Sequence, residues 1–160
     1  MSKTAPPTTV DQQASPEMRV LLAMFALYWR MEDALGKQEI ISGLGRAECY
    51  LLLQLDHPRR LGELAKTLML VPSSVTMAAD RLEQDSLAVR LRDAQDRRAF
   101  LLQLTAKGRS LRAALEKRAE QAFREICDLN DDDIQKFSVL SDKLQKTFLG
   151  AANRCPGKER

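Results

Sequence analysis

This chain is poor in the side chains that catalysis draws on. It carries a single histidine, and its three cysteines, Cys49, Cys127 and Cys155, lie far apart with no C-x-x-C among them. One histidine and no paired thiols offer no zinc constellation. No glycine-rich phosphate loop and no nucleophile–histidine–acid set stands in the sequence, so neither an enzyme nor a bound cofactor or metal is expected. An odd number of widely spaced cysteines suits reduced thiols and a cytoplasmic setting. Long hydrophobic runs are missing too. The most apolar stretch, Val20 to Trp29, is far below the roughly 20 residues a membrane helix needs. Ser2 to Thr9 is polar and proline-containing, unlike a secretory signal.

What the chain has is enough apolar residue, 44% of 160, for one domain with a core, and an uneven charge. The overall balance is only +3, but His57 to Arg112 holds eleven Lys/Arg against six Asp/Glu. Positive charge gathered in one segment is the footprint of phosphate binding, although a solvated charged face would give the same count.

That segment ends in two runs of alternating polarity. Leu87, Val89 and Leu91 fall on one side of the first and Ala88, Arg90 and Arg92 on the other; Phe100, Leu102 and Leu104 line the inner face of the second. A period of two describes half-buried strands, so the pair reads as a hairpin with Leu87, Val89 and Leu91 inward. Its loop, Asp93 to Arg98, carries charge and is expected to bury nothing. Upstream, Leu61, Leu64, Ala65 and Leu68 repeat at helical spacing, and Val75, Ala78, Ala79 and Leu82 repeat it again after Pro72, a residue suited to a first helical position. Two short helices followed by a two-stranded ribbon is the order of a winged helix-turn-helix, whose second helix enters the major groove of DNA.

The residues L-G-E-L-A-K-T-L-M-L-V-P-S-S-V-T-M-A-A-D-R-L-E from Leu61, the D-R-R of Asp96 to Arg98, and the L-T-A-K-G ending at Gly108 resemble the multiple-antibiotic-resistance regulator (MarR) family. The match is dense over Leu61 to Gly108. The resemblance implies a homodimeric transcriptional regulator, usually a repressor, often released from DNA by a small ligand or by oxidation. It also implies that Arg98 reaches into the minor groove and that Asp96 is the carboxylate that fixes it. A pinned arginine has already lost part of its side-chain entropy before DNA arrives, and narrow A·T-rich minor grooves attract guanidinium.

The groove-facing set of the recognition helix, 72–85, is Ser73, Ser74, Thr76, Met77 and Arg81, with Asp80 expected to pair with Arg81 or a wing arginine. For Ser73 and Ser74, first-turn helix chemistry is the competing reading. Arg90, Arg92 and Arg97 suit backbone phosphate, as do Lys107 and Arg109. Three departures from the family pattern bear on DNA reading: Val71 replaces a hydroxyl cap, Met77 stands where arginine is common, and Asp85-Ser86 occupies a turn that usually holds glycine. In the family the ligand pocket lies between the dimerisation helices and the reader. Phe25, Tyr28, Trp29 and His57 could line one here for a small aromatic ligand, although an aromatic stripe is more often core. Peroxide-sensing members keep a reactive cysteine near the start of the first helix, and none is found there. Cys49 and Cys127 read as inert.

The expected architecture is mainly α with a small β-hairpin, a winged helix-turn-helix flanked by N- and C-terminal dimerisation helices. Residues 1–15 read as a disordered tail, 16–44 as the N-terminal dimerisation helix, 45–108 as the DNA-binding region, 109–153 as the C-terminal dimerisation helices and 154–160 as a tail. The expected partners are double-stranded DNA with a pseudo-palindromic operator, a second copy of the chain, and no membrane. A helical dimeric protein-interaction module with weakened DNA binding is the alternative.

Overall fold

A computed structural model describes residues 13–36, 43–96 and 98–152. Six helices and three strands run α1 (Pro16–Gly36), α2 (Arg46–Gln54), β1 (Arg59–Arg60), α3 (Leu61–Leu68), α4 (Pro72–Gln84), β2 (Ala88–Arg92), β3 (Phe100–Leu104), α5 (Ala106–Cys127) and α6 (Asp131–Ala152). The architecture is the expected one with one addition. β1 pairs antiparallel with β3, making a three-stranded sheet of order β1-β3-β2. Two residues give too short an alternation to announce a strand.

The helix starts follow local chemistry. Thr105 caps α5 by accepting from the Gly108 amide at 3.0 Å, and Asn130 caps α6 by accepting from the Asp133 amide at 3.0 Å. Each satisfies a backbone donor that a first turn otherwise leaves open. The acidic run Asp131 to Asp133 sits at the positive end of the α6 dipole. α4 begins at Pro72 behind Val71, which offers no side-chain cap. The helix ends carry strain: Met69, Ser86 and Asp128, just past α3, α4 and α5, adopt left-handed φ of 52°, 57° and 49°.

The core lies where α2, α3, α4 and the sheet meet. Leu51, Leu52, Leu64, Val75, Ala79, Leu82 and Leu102 are almost wholly buried there. Val75, Ala78, Ala79 and Leu82 are the inward stripe of α4, as their spacing requires. α1 packs along α5, and Phe123 of α5 stacks on Phe137 of α6 with ring centroids 6.2 Å apart. Both terminal helices still present large apolar side chains to solvent. These include Leu21, Met24 and Phe25 on α1, and Leu140, Leu144 and Phe148 on α6.

The faces of β2 are the reverse of the alternation's reading. Leu87 is buried, but Val89 and Leu91 are 41% and 43% exposed. The register pairs Ala88 with Leu104, Arg90 with Leu102 and Arg92 with Phe100, so Ala88, Arg90 and Arg92 share the core-side face of β2, although at its far end Arg92 and Phe100, the latter expected inward, are both exposed. An arginine can take the inner face because α4 supplies two carboxylates to receive it.

Candidate nucleic-acid interface

Those carboxylates are Asp80 and Glu83. Arg90 donates to Asp80 Oδ1 at 2.7 Å and to Glu83 Oε2 at 2.5 Å, while its backbone N–H donates to Glu83 Oε1 at 3.0 Å. Asp80 thus takes a wing-strand arginine as partner, one of the two options its position allowed. The cost falls on Arg90, whose half-buried guanidinium is committed to protein and not open for phosphate. Charge-assisted bonds of this kind are strong and directional, and these join the second helix of the pair to the ribbon.

The outer side of α4 carries the residues expected there. Ser73, Thr76, Met77 and Arg81 are exposed, Ser74 and Asp80 partly so. Some of their capacity is spent locally. The Thr76 hydroxyl donates to the Pro72 carbonyl at 3.0 Å, and Arg81 bonds Asp85 one turn on at 3.0 Å. Both arrangements sit on the surface, where such pairs are weak and can exchange for an incoming ligand. Met77 is 72% exposed, an apolar side chain standing out from a polar edge.

In the loop, Arg98 is exposed, and Arg97 lies outside the described residues. Asp96 meets Arg98 at its backbone: Asp96 Oδ1 accepts from the Arg98 N–H at 3.0 Å, and the Ala99 N–H donates to the Asp96 carbonyl at 2.8 Å. This is an Asx turn that sets the direction of the chain at Arg98. Arg92, near the root of the loop, lies over the Phe100 ring at 5.7 Å, a cation–π contact that orients it. Lys107 donates to the Asp85 carbonyl and Arg109 to the Leu104 carbonyl, both at 2.8 Å, so each is partly engaged by the protein.

The loop is not free of burial, contrary to the expectation from its charge. Among the described residues Asp93 is the buried charged one, 8% exposed. Its Oδ2 accepts from Arg60 Nε at 2.9 Å and from a second Arg60 nitrogen at 2.5 Å, and its Oδ1 accepts from the Gln95 N–H at 2.8 Å. The Gln95 amide and the Arg60 guanidinium hold its carboxyl below the usual carboxylate range. Sequence reading passed over this pair because 33 positions separate its members. Its one signal was an Arg-Arg strand start with no other role.

The aromatic residues proposed as a ligand lining behave in two ways. Tyr28 and Trp29 meet edge to face at 5.8 Å, and the Tyr28 hydroxyl accepts from Arg46 at 2.9 Å. Arg46 also bonds Glu32, so α1 and the start of α2 are tied together here. Phe25 is exposed on α1. His57 lies in the turn before β1, bonded to Asp56 at 2.8 Å with its side chain 62% exposed. A cleft of about 350 Å³ opens elsewhere, with Gln54, Arg59, Lys66 and Thr67 on one wall and Gln145 and Phe148 of α6 on the other. The four expected residues do not line it. Burial pushes the Cys49 and Cys127 thiols up, with Glu48 adding to the effect at Cys49, and a raised thiol is a poor nucleophile. Cys155 lies outside the described residues. Among the described residues no cluster of His, Cys, Asp and Glu could hold a metal, and no helix is long and apolar enough to cross a membrane.

Comparison with known proteins agrees with this geometry. The sequence profile of the MarR family matches residues 52–100, from within α2 to the start of β3. The chain is 31% identical over 91 residues to the HTH-type transcriptional repressor MdtR of Bacillus subtilis (strain 168), a match covering 56% of this chain and 59% of that protein. It is 31% identical over 109 residues to the HTH-type transcriptional regulator YxaD of the same organism, covering 66% of this chain and 76% of that one. In structure it is similar to a MarR transcriptional regulator from Methanosarcina mazei Go1, with a TM-score of 0.72 at 21% identity, covering 84% of this chain and 99% of the other. An exposed-edged second helix, a ribbon clamped onto it and the L-T-x-x-G entry to a long helix therefore coincide with a relative matched over three quarters of its length, and the chain belongs to the MarR family of transcriptional regulators.

Proposed function

We propose that this protein is a homodimeric, sequence-specific DNA-binding regulator that acts as a repressor in the cytoplasm. In this reading α4 enters the major groove through Ser73, Ser74, Thr76, Met77 and Arg81, and the loop 93–98 meets the minor groove through Arg98. Arg92 and Arg97 contact phosphate nearby. Residues 45–108 are the reader, and 16–44 with 109–153 form the dimer. The observation that carries the proposal is the contrast between two arginines of the ribbon. Arg90 is consumed by Asp80 and Glu83, while Arg98 stands exposed on a loop whose backbone Asp96 holds in place.

A small aromatic ligand bound beside Trp29, where Tyr28 meets Arg46, would shift α1 against α2, and so alter the spacing of two readers on one operator. The exposed Met69, Val71 and Met77 at the α3–α4 corner favour a second reading, in which this surface docks a protein and DNA binding is weak.

Duplex fragments selected from the source genome, titrated by fluorescence anisotropy, separate the two. Arg98→Ala should weaken binding by about 1–3 kcal/mol, and affinity should fall steeply as salt rises, because phosphate contacts release counterions. Normal binding by Arg98→Ala, or binding indifferent to salt, removes the DNA reading.

A further inference from the structure

The root of the wing is tied to the start of α3 by one ion pair, buried at Asp93 and open at Arg60, and we propose that Arg60 and Asp93 are positioning residues that fix the bearing of Arg98 toward DNA. The proposal rests on the DNA-binding reading above and adds to it a part of the molecule that touches no groove itself.

Three facts locate this role. First, Asp93 gathers both ends of its loop. Its carboxylate accepts the Gln95 N–H, and its own N–H donates to the Ala99 carbonyl at 3.0 Å. The turn that presents Arg98 therefore sits between two bonds made by one residue. Second, Arg60 belongs to a different part of the fold. Its backbone pairs with Leu101 of β3, and it occupies the position just before the first turn of α3. Its side chain reaches across to the loop with two nitrogens on one carboxylate oxygen. Third, the pair is largely shielded on the Asp93 side, where the side chain is only 10% exposed. A shielded charge-assisted contact is geometrically demanding, since a misaligned partner leaves a buried carboxylate without its counterion.

The wing thus has two separate attachments. Arg90 joins β2 to α4 through Asp80 and Glu83, and Arg60 joins the loop itself to β1 and α3. With the second released, β2 and β3 remain paired while the segment carrying Asp96 and Arg98 can swing. An arginine that must find its groove from a swinging loop gives up the advantage of being placed beforehand.

Asp93→Asn tests this with almost no change in shape, because the side chain keeps its size while the charge that holds Arg60 is gone. Arg60→Gln removes the other partner. Amide hydrogen exchange on the full chain without DNA reads the latch directly. Exchange at Gln95 and Ala99 should rise about tenfold in both variants, with the Leu52, Leu64 and Leu82 amides retaining their protection. Unchanged exchange at Gln95 and Ala99 overturns the latch, whatever DNA does. So does a matching rise at the core amides, which would reveal general loosening. On duplex DNA, Asp93→Asn should bind about tenfold more weakly, and adding Arg98→Ala to it should cost under about threefold more, since the two act as a unit. Full additivity of the two losses overturns the positioning role. Failure of the unsubstituted protein to bind any duplex at low salt refutes the DNA reading instead, and the exchange comparison still decides whether Arg60 and Asp93 hold the loop.

Discussion

Gly108 carries no side chain because the Leu87 carbonyl oxygen occupies the place where one would go. A Cβ built there would lie 2.0 Å from that oxygen and 3.3 Å from Leu104 Cδ2. Neither is free to yield, for the Leu87 carbonyl accepts the Thr105 N–H at 3.0 Å and Leu104 is core. The threonine of the same motif is equally constrained, since its hydroxyl donates to the Ser86 carbonyl at 2.8 Å while capping α5. Gly108→Ala should therefore destabilise the protein by about 1–3 kcal/mol, the usual cost of forcing extra volume into packed backbone, as measured by chemical denaturation. A stability within experimental error of the parent would show that β2 and α5 part more easily than their bonds suggest. The L-T-x-x-G signature, legible in the sequence as a family mark, is at this scale a close approach between the end of one helix-ribbon corner and the start of the next helix.

Among the elements, the helices were legible, as was the inner face of β3 through Leu102 and Leu104, but the face of β2 was not. The stripes Leu61–Leu68 and Val75–Leu82 place α3 and α4 correctly because a helix displays its buried side over several turns, and Thr105 and Asn130 mark the starts of α5 and α6 through local caps. A five-residue strand offers only two or three residues per face, so a single inward arginine inverts the reading. That happened at β2, where Arg90 displaces Val89 and Leu91 from the core side. The Asp93–Arg60 pair escaped for a related reason. Charged residues are seldom buried unless paired, and the partner sits on a two-residue strand that no periodicity reveals. Of the candidate site, the outer residues of α4 and the exposed Arg98 stand where the pattern put them. The division of labour among the arginines depended on contacts between elements. It has a measurable consequence. Each phosphate contact contributes roughly 0.9 to the slope of log affinity against log salt. Because its charge is already met by Asp80 and Glu83, Arg90→Met should leave that slope unchanged while lowering stability. A slope reduced by about one would mean that Arg90 abandons α4 for DNA.

For the whole molecule, the decisive property is apolar area without a cover. α1 and α6 hold Leu21, Met24, Phe25, Leu140, Leu144 and Phe148 in solvent, and large apolar side chains gathered on exposed helices call for a cover. A second copy is the proposed occupant. Light scattering should give twice the 18.0 kDa chain mass, and Leu140→Asp with Leu144→Asp should return the protein to a single chain and abolish operator binding; a wild-type monomer at micromolar concentration would end the dimer proposal. One trait belongs to the molecule as a whole, being repeated at the ends of α3, α4 and α5: Met69, Ser86 and Asp128 hold left-handed backbone with ordinary side chains. That conformation costs a non-glycine residue roughly 1–2 kcal/mol, offset in a glycine variant by about 0.4–1 kcal/mol of extra freedom in the unfolded chain. Replacing each with glycine should raise the guanidinium midpoint, most for Met69, which at 75% exposed gives up no packing, and least for Asp128, whose side chain tolerates the twist. This regulator therefore carries unused thermal headroom at three hinge-like corners, and a hardier version lies three codons away.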